Sequence, residues 1–416
     1  MTADAIDHLT TPPSMETGHR HHVLRRLRQA LAEGDLDAIV AIGPENCYYV
    51  SGFPSLFAYQ PITKSIAAIA YRDESLEPTL VLTELEERAA NGIYGIDCRT
   101  IPIWMGIEDP FNLRPGDKQM ELVNEISSEA VLVQVVQALK ERGVDLSRVA
   151  VEVGELDHAG YVFLADALGQ NSLADATTVL GEARRIKSWW EIDQLRSAVE
   201  ITERAIVTTC ERIADGTTMR EISRTFHESV YVHGGEGVRL AMITLGEQFG
   251  PSAFGSSASL TARQGEIIKF DVGAMVNGYG ADMARTFSLG PAPADTCARY
   301  DALRVGYDYI IETAGPGVRL ADLFDGSLKR IRASGLPDYA RGHVGHSLGM
   351  AREVEEWPYV ATGVSDVLEP GMVMCFETPY YAWGVGGLQC EDVIVVTESG
   401  IESLSRLSRE LVELPS

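Results

Sequence analysis

The chain has 416 residues, too many for one ordinary hydrophobic core, so two domains are expected. Its composition, 45% hydrophobic and 23% charged, is that of a globular protein, and no 18-residue apolar run is present to span a bilayer. A formal charge of −25 with no offsetting Lys/Arg-rich run argues against nucleic acid or an anionic membrane as partner. Residues 1–20 lack an apolar signal-peptide core and read as a polar tail, which leaves His19, His21 and His22 solvated. From residue 21, "HVLRRLRQALAEG" places Leu24, Leu27, Ala30 and Leu31 at helical spacing. "DAIVAI" follows as a short strand, and "GPEN" as a closing turn. "KSIAAIAYR", "PTLVLTE" and "SRVAVEVG" continue the strand signals, with "EAVLVQVVQALKERG" as a helix among them. These elements form an α/β domain over residues 21–183. Six cysteines without a CxxC pair read as free thiols of a reducing, cytoplasmic setting, with Cys390 a packing residue.

A second unit opens near residue 184. In "RRIKSWWEIDQLRSAVEITERAIVTTCERIADG", Ser188 and Glu191 have the spacing of a capping box. Ile192, Leu195, Val199, Ile206 and Ile213 form the apolar stripe of a helix, which Gly216 closes, and Trp189 and Trp190 are expected to pack. Beyond it, helices such as "TMREISRTFHESVYVHGG" alternate with apolar strands that carry acidic residues. Asp271 lies in "IIKFDVG", Asp282 in "GYGADMARTF", His346 in "GHVGHSLGM", Glu377 in "GMVMCFETPYY" and Glu391 in "GGLQCEDVIVV". Four carboxylates in buried settings without matching lysines repel one another, and two divalent cations would relieve that repulsion. Oxygen-rich ligation with one imidazole suits Mn²⁺, Co²⁺, Fe²⁺ or Zn²⁺.

The order of these residues, with steps of 11, 64, 31 and 14, resembles the pita-bread metallopeptidases (M24), and most of all the prolidase, aminopeptidase P and creatinase branch. "RRIKSWWEIDQLRSA" is similar to that branch's domain entry, and "DAIVAIGPENCYYVSGF" to the start of its amino-terminal domain. The resemblance implies a creatinase-like amino-terminal α/β domain over 21–183 and an α+β pita-bread catalytic domain over 184–416. It implies two divalent ions, manganese foremost: Asp271 chelating one, Asp282 and Glu391 bridging both, and His346 and Glu377 holding the second. An activated water would attack an amide carbon, with Glu377 and His346 as catalytic residues and Glu377 carrying the proton. It also implies a homodimer.

Departures from the family pattern fall around the substrate. Phe254 stands seventeen residues before Asp271, where these peptidases carry a histidine. Glu355 in "EEWP" stands where a second histidine belongs, and Tyr359 and Gln389 replace two arginines. His343, in "GHVGH", offers a substitute imidazole, while Glu353 and Glu356 read as a solvated acidic face. Tyr380 and Tyr381, just after Glu377, are candidate pocket walls. Loss of one oxyanion donor typically costs about 10²–10³ in turnover, so these exchanges predict a poor Xaa-Pro peptidase whose pocket disfavours a free carboxylate. Two substrates are therefore expected: a dipeptide with proline on the carboxyl side, or a small non-peptide metabolite cleaved as in creatinase- or ectoine-hydrolase-like relatives.

Overall fold

A computed structural model of the chain describes residues 17–56, 65–92, 94–105, 122–246, 260–350 and 355–415. The chain divides into two compact units, Met1–Arg184 and Arg185–Ser416.

The first unit is built on β1 (Ala38–Ala41), β2 (Ala67–Tyr71), β3 (Thr79–Thr83), β4 (Cys98–Ile101), β5 (Val149–Val151) and β6 (Ala174–Asp175), in the spatial order β4-β3-β2-β1-β5-β6. Strands β1, β2, β3 and β5 are buried along their whole length, which is why they read as unbroken apolar runs. The helix Ser128–Glu141 covers one face with Val131, Leu132, Val135 and Leu139, and the Ser127 side chain caps it. Two expectations are corrected here. "GPEN" does not end in a turn but starts the helix Pro44–Ser51, whose proline has φ preset for the first helical position. The backbone N–H groups of Ile42 and Gly43 leading into that helix both donate to Glu152 Oε2 at 2.8 Å. The polar tail also ends sooner, because a helix runs over Thr17–Glu33. His19 is 3% exposed on it rather than solvated, and burial pushes its imidazole down to about 4.

The second unit opens with the helix Trp189–Cys210, capped as its spacing predicts: Ser188 accepts from Glu191 N, and the Glu191 carboxylate accepts from Ser188 N. Trp190 packs edge-on against Tyr279, but Trp189 is 73% exposed, contrary to expectation. Thr218 and Glu221 repeat the capping box at the head of the helix Met219–Val232. The sheet comprises β7 (Gly237–Ala241), β8 (Thr244–Leu245), β9 (Ile267–Val276), β10 (Tyr279–Gly280), β11 (Met283–Leu289), β12 (His343–Ser347), β13 (Glu356–Ala361) and β14 (Val373–Glu377). The pair β15 (Tyr380–Ala382) and β16 (Gly386–Leu388) stands apart from it. Strands β17 (Glu391–Thr397), β18 (Gly400–Ser403) and β19 (Val412–Leu414) complete the sheet.

Its central path runs β10-β9-β11-β17-β14-β12-β13. The helices Ala294–Thr313 and Leu320–Ala333 contribute Leu303, Tyr307, Leu323 and Ile331 to a core shared with Met374, Phe376 and Ile394 of β14 and β17. An α/β unit followed by an α+β unit is the fold class that the sequence predicts. The hairpin after β9 passes close to its own strand: a Cβ at Gly273 would lie 1.7 Å from the Ala281 carbonyl oxygen. Only glycine admits that approach, and the next residue along the crossing segment is Asp282.

Candidate metal centre

Strand register, more than loop geometry, assembles the site. Asp271 on β9 pairs with Ala284 on β11, Ala284 with Glu391 on β17, and Glu391 with Glu377 on β14. Two residues back along β14, Cys375 pairs with His346 on β12, which in turn pairs with Tyr359 on β13. Side chains two apart share a sheet face, so these residues form one row across the sheet. Alanine at the middle of the row leaves the space above it to the carboxylates on either side. Asp282, from the crossing segment, completes the group: one oxygen each of Asp271, Asp282 and Glu391 lies within 4.8 Å of the others. The candidate ligands are buried, with exposures of 7% for Asp271, 2% for Asp282, His346 and Glu391, and 5% for Glu377.

The imidazole of His346 is oriented from behind. Its Nδ1–H donates to the Ser347 carbonyl at 2.9 Å, which turns the Nε2 lone pair toward Asp282 Oδ2 at 3.8 Å and Glu391 Oε1 at 3.7 Å. Burial, followed by the neighbouring charges of Glu391 and Asp271, raises the Asp282 carboxyl well above the usual range. Glu391 is raised in the same way by burial and by Glu377, and burial lifts Glu377 to about 7. Asp392, on the opposite face of β17, gives the contrast. It is as buried, but Arg285 and Arg409 outweigh the burial and hold it below the ordinary carboxylate value. That buried carboxylate, on the same strand as Glu391, comes with its own counter-charges. At the row, Asp282 Oδ1 is buried with no hydrogen-bond partner among the described residues. An orphaned carboxylate oxygen amid three further carboxylates and a preset imidazole fits divalent cations.

A lysine stands against the row, and it overturns the expectation of carboxylates without a matching lysine. Lys269 is fully buried on β9, two residues before Asp271 and on the same face. Its Nζ donates to Asp271 Oδ2 at 2.9 Å, Gln389 Oε1 at 3.0 Å and the Tyr381 hydroxyl at 3.2 Å. Burial pulls against its charge, but Asp271 outweighs it and the ammonium is held above its ordinary value. Gln389 relays the contact: its Nε2 donates to Glu377 Oε2 at 3.1 Å and Glu391 Oε2 at 2.9 Å. The readable signal for Lys269 was a lone lysine inside the apolar run "IIKFD". Cys375, also unforeseen, brings its thiol within 4.8 Å of His346 and Glu391 atoms.

The remaining candidates separate. His343 faces Glu377 Oε1 with Nδ1 at 3.3 Å and Glu355 Oε2 with Nε2 at 3.4 Å, and the Tyr359 ring lies 5.3 Å from its own. Gln389 and Tyr381 touch the carboxylates or their lysine, as above. Phe254 and Glu353 lie outside the described residues. Glu356 is not on a solvated face: it is 9% exposed, with Lys187 Nζ at 3.8 Å.

The comparisons with known proteins agree with this architecture. The family model for the Creatinase/Prolidase N-terminal domain matches residues 24–186, and that for Metallopeptidase family M24 matches residues 193–398. The chain belongs to metallopeptidase family M24. It is a metal-dependent hydrolase of the family's prolidase and creatinase branch. YkvY of Bacillus subtilis is 26% identical over 317 residues, covering 74% of this chain and 86% of that protein. The Xaa-Pro dipeptidase of Pyrococcus furiosus is 27% identical over 234 residues, covering 56% of this chain and 67% of that protein. Among solved structures, dipeptidase PepE from Mycobacterium ulcerans superposes with a TM-score of 0.78 at 24% identity, covering 97% of this chain and 100% of that one, which is a likeness of fold. M24 enzymes use divalent metals, and among the described residues no helix is long and apolar enough to cross a membrane.

Proposed function

We propose that this M24 hydrolase is a dinuclear-metal amidase of the Xaa-Pro dipeptidase class. The observation that carries the reading is the buried row of Asp271, Glu391, Glu377 and His346, with Asp282 beside it presenting an oxygen that has no partner among the described residues. Asp271 would chelate one ion, Asp282 and Glu391 would bridge two, and His346 and Glu377 would hold the second. Manganese is the first candidate, before cobalt, zinc or iron. When bound, the ions supply Lewis acidity, to a water and to the amide carbonyl alike. Glu377 would take the proton from the attacking water and return it to the leaving nitrogen. His343 would hydrogen-bond the reacting amide in the role left open at positions 254 and 355, a reading supported by its lying 3.3 Å from Glu377. A homodimer and a cytoplasmic location belong to the same reading; the free state of all six cysteines supports a reducing compartment.

A second reading, C–N hydrolysis of a small non-peptide metabolite, is favoured by Glu355 and Tyr359 standing against His343 at the site's edge. Metal analysis of the purified chain followed by a screen of Xaa-Pro dipeptides and small amides decides between them. Turnover of a proline dipeptide supports the first reading, and turnover only of a non-peptide amide the second. A protein that binds no manganese, cobalt or zinc refutes both.

A further inference from the structure

The exchanges at Tyr359 and Gln389 remove the two positions from which this branch would hold a carboxylate, yet the pocket has a guanidinium of its own. Arg341 precedes β12, and its Nη2 lies 3.8 Å from Glu377 Oε1, with the guanidinium 5.9 Å from the centre of the Tyr381 ring. That single long ion pair is its one charged partner among the described residues, and its Nε has no hydrogen-bond partner there. Beside it opens a cavity of about 440 Å³ whose walls include Arg299, Tyr339, Arg341, Pro379, Tyr380 and Tyr381. Asp338 also lines it. Tyr381 is a wall common to the cavity and the carboxylate row, since its hydroxyl contacts Lys269 and Gln389. Arg299 donates to the Tyr380 hydroxyl at 3.4 Å, and its other terminal nitrogen lies 4.0 Å from Asp295 Oδ2, so Arg341 is the less committed of the two arginines.

We infer that Arg341 and this cavity form an anion subsite that holds the free α-carboxylate of the leaving amino acid. The argument is one of spacing and rests on the amidase reading above. Glu377 is the group that returns a proton to the leaving nitrogen. In an α-amino acid the carboxylate is attached to the carbon that bears that nitrogen. A carboxylate-binding group must therefore sit beside the proton carrier, as Arg341 does. A guanidinium presents paired N–H donors in the plane that a carboxylate fits. It is also free to turn: when Glu377 directs its oxygens to cations, Arg341 loses its one ionic partner and exchanges it for the ligand's. The tyrosine and proline walls lie beyond the carboxylate and receive the leaving residue's side chain. The volume exceeds what a proline ring fills, so the subsite does not restrict the leaving residue to proline.

The test is binding, separate from turnover. L-proline and L-leucine are titrated calorimetrically against the full chain beside their carboxamides. The acids are expected to bind at least about 10-fold tighter than the amides, as for a hydrogen-bonded ionic contact. Arg341→Gln should abolish that preference and leave amide binding unchanged, while Arg341→Lys keeps part of it. A purely structural role for Arg341 would weaken acid and amide alike. Equal binding of acid and amide by the native chain, no detectable acid binding, or an undiminished acid preference in Arg341→Gln overturns the subsite. If Arg341→Gln does not fold, an Arg341→Lys variant with the full native preference does the same. A chain inert toward every proline dipeptide, but with the acid preference intact, would fail the dipeptidase reading and keep this one.

Discussion

Lys269 is the residue around which the centre is ordered. One ammonium reaches Asp271 directly, and Glu377 and Glu391 through Gln389. Lys269→Met would leave Asp271 facing the other carboxylates with no counter-charge. Breaking one partner out of a buried pair costs about 3–5 kcal/mol, and thermal melts of the chelator-treated variant should show a loss of that size. Added metal should recover much of it. The sequence made the five candidate ligands findable, because their order and steps follow a family pattern. It hid Lys269 because an isolated lysine in a strand reads as an accident until the i, i+2 relation to Asp271 puts both on one face. Arg341 was hidden for another reason: nothing local distinguishes an arginine near a glycine turn from a solvated one.

The strands act as the ruler that spaces the ligands, and the tightest point is the β9–β11 hairpin. Gly273→Ala would drive its Cβ into the Ala281 carbonyl and displace Asp282 from the row. Overpacking of backbone against backbone should cost at least about 3 kcal/mol in a denaturant titration and weaken metal binding as well. Ser127→Ala, at the head of the helix Ser128–Glu141 in the first unit, is the control: loss of its cap should cost about 1 kcal/mol and leave metal affinity unchanged. The elements themselves were mostly readable. The helix over Trp189–Cys210, its capping box and the apolar strands follow from periodicity. The helix Pro44–Ser51 was missed because Gly-Pro-Glu-Asn carries turn residues that also start helices, and Glu152, far along the chain, decides between the two by taking up the N–H groups of Ile42 and Gly43.

For the molecule as a whole, the raised carboxyls make stability depend on pH in a direction that metal should reverse. A carboxyl with a raised folded value keeps its proton in the fold after the unfolded chain has released it. Its stabilisation is therefore complete below the ordinary carboxylate value and lost as pH rises through the folded one. For Glu377 the window runs from 4.5 to about 7, worth on the order of 3 kcal/mol, and Asp282 and Glu391 extend it upward. Melts of chelator-treated protein should fall in temperature between about pH 5 and about pH 8, and melts of the metal-loaded protein should not. A metal-free slope of the opposite sign would mean that the row is not buried as described.

The row also joins distant parts of one chain. Asp271 and Glu391 come from strands separated by two long helices, and all six cysteines are free. A bound ion would be the cross-link that this chain otherwise lacks, closing a loop of more than a hundred residues with coordinate bonds instead of sulfur. Loading the centre would then brace the whole carboxyl-terminal unit against proteolysis, and the tie could be undone by a chelator but not by a reductant.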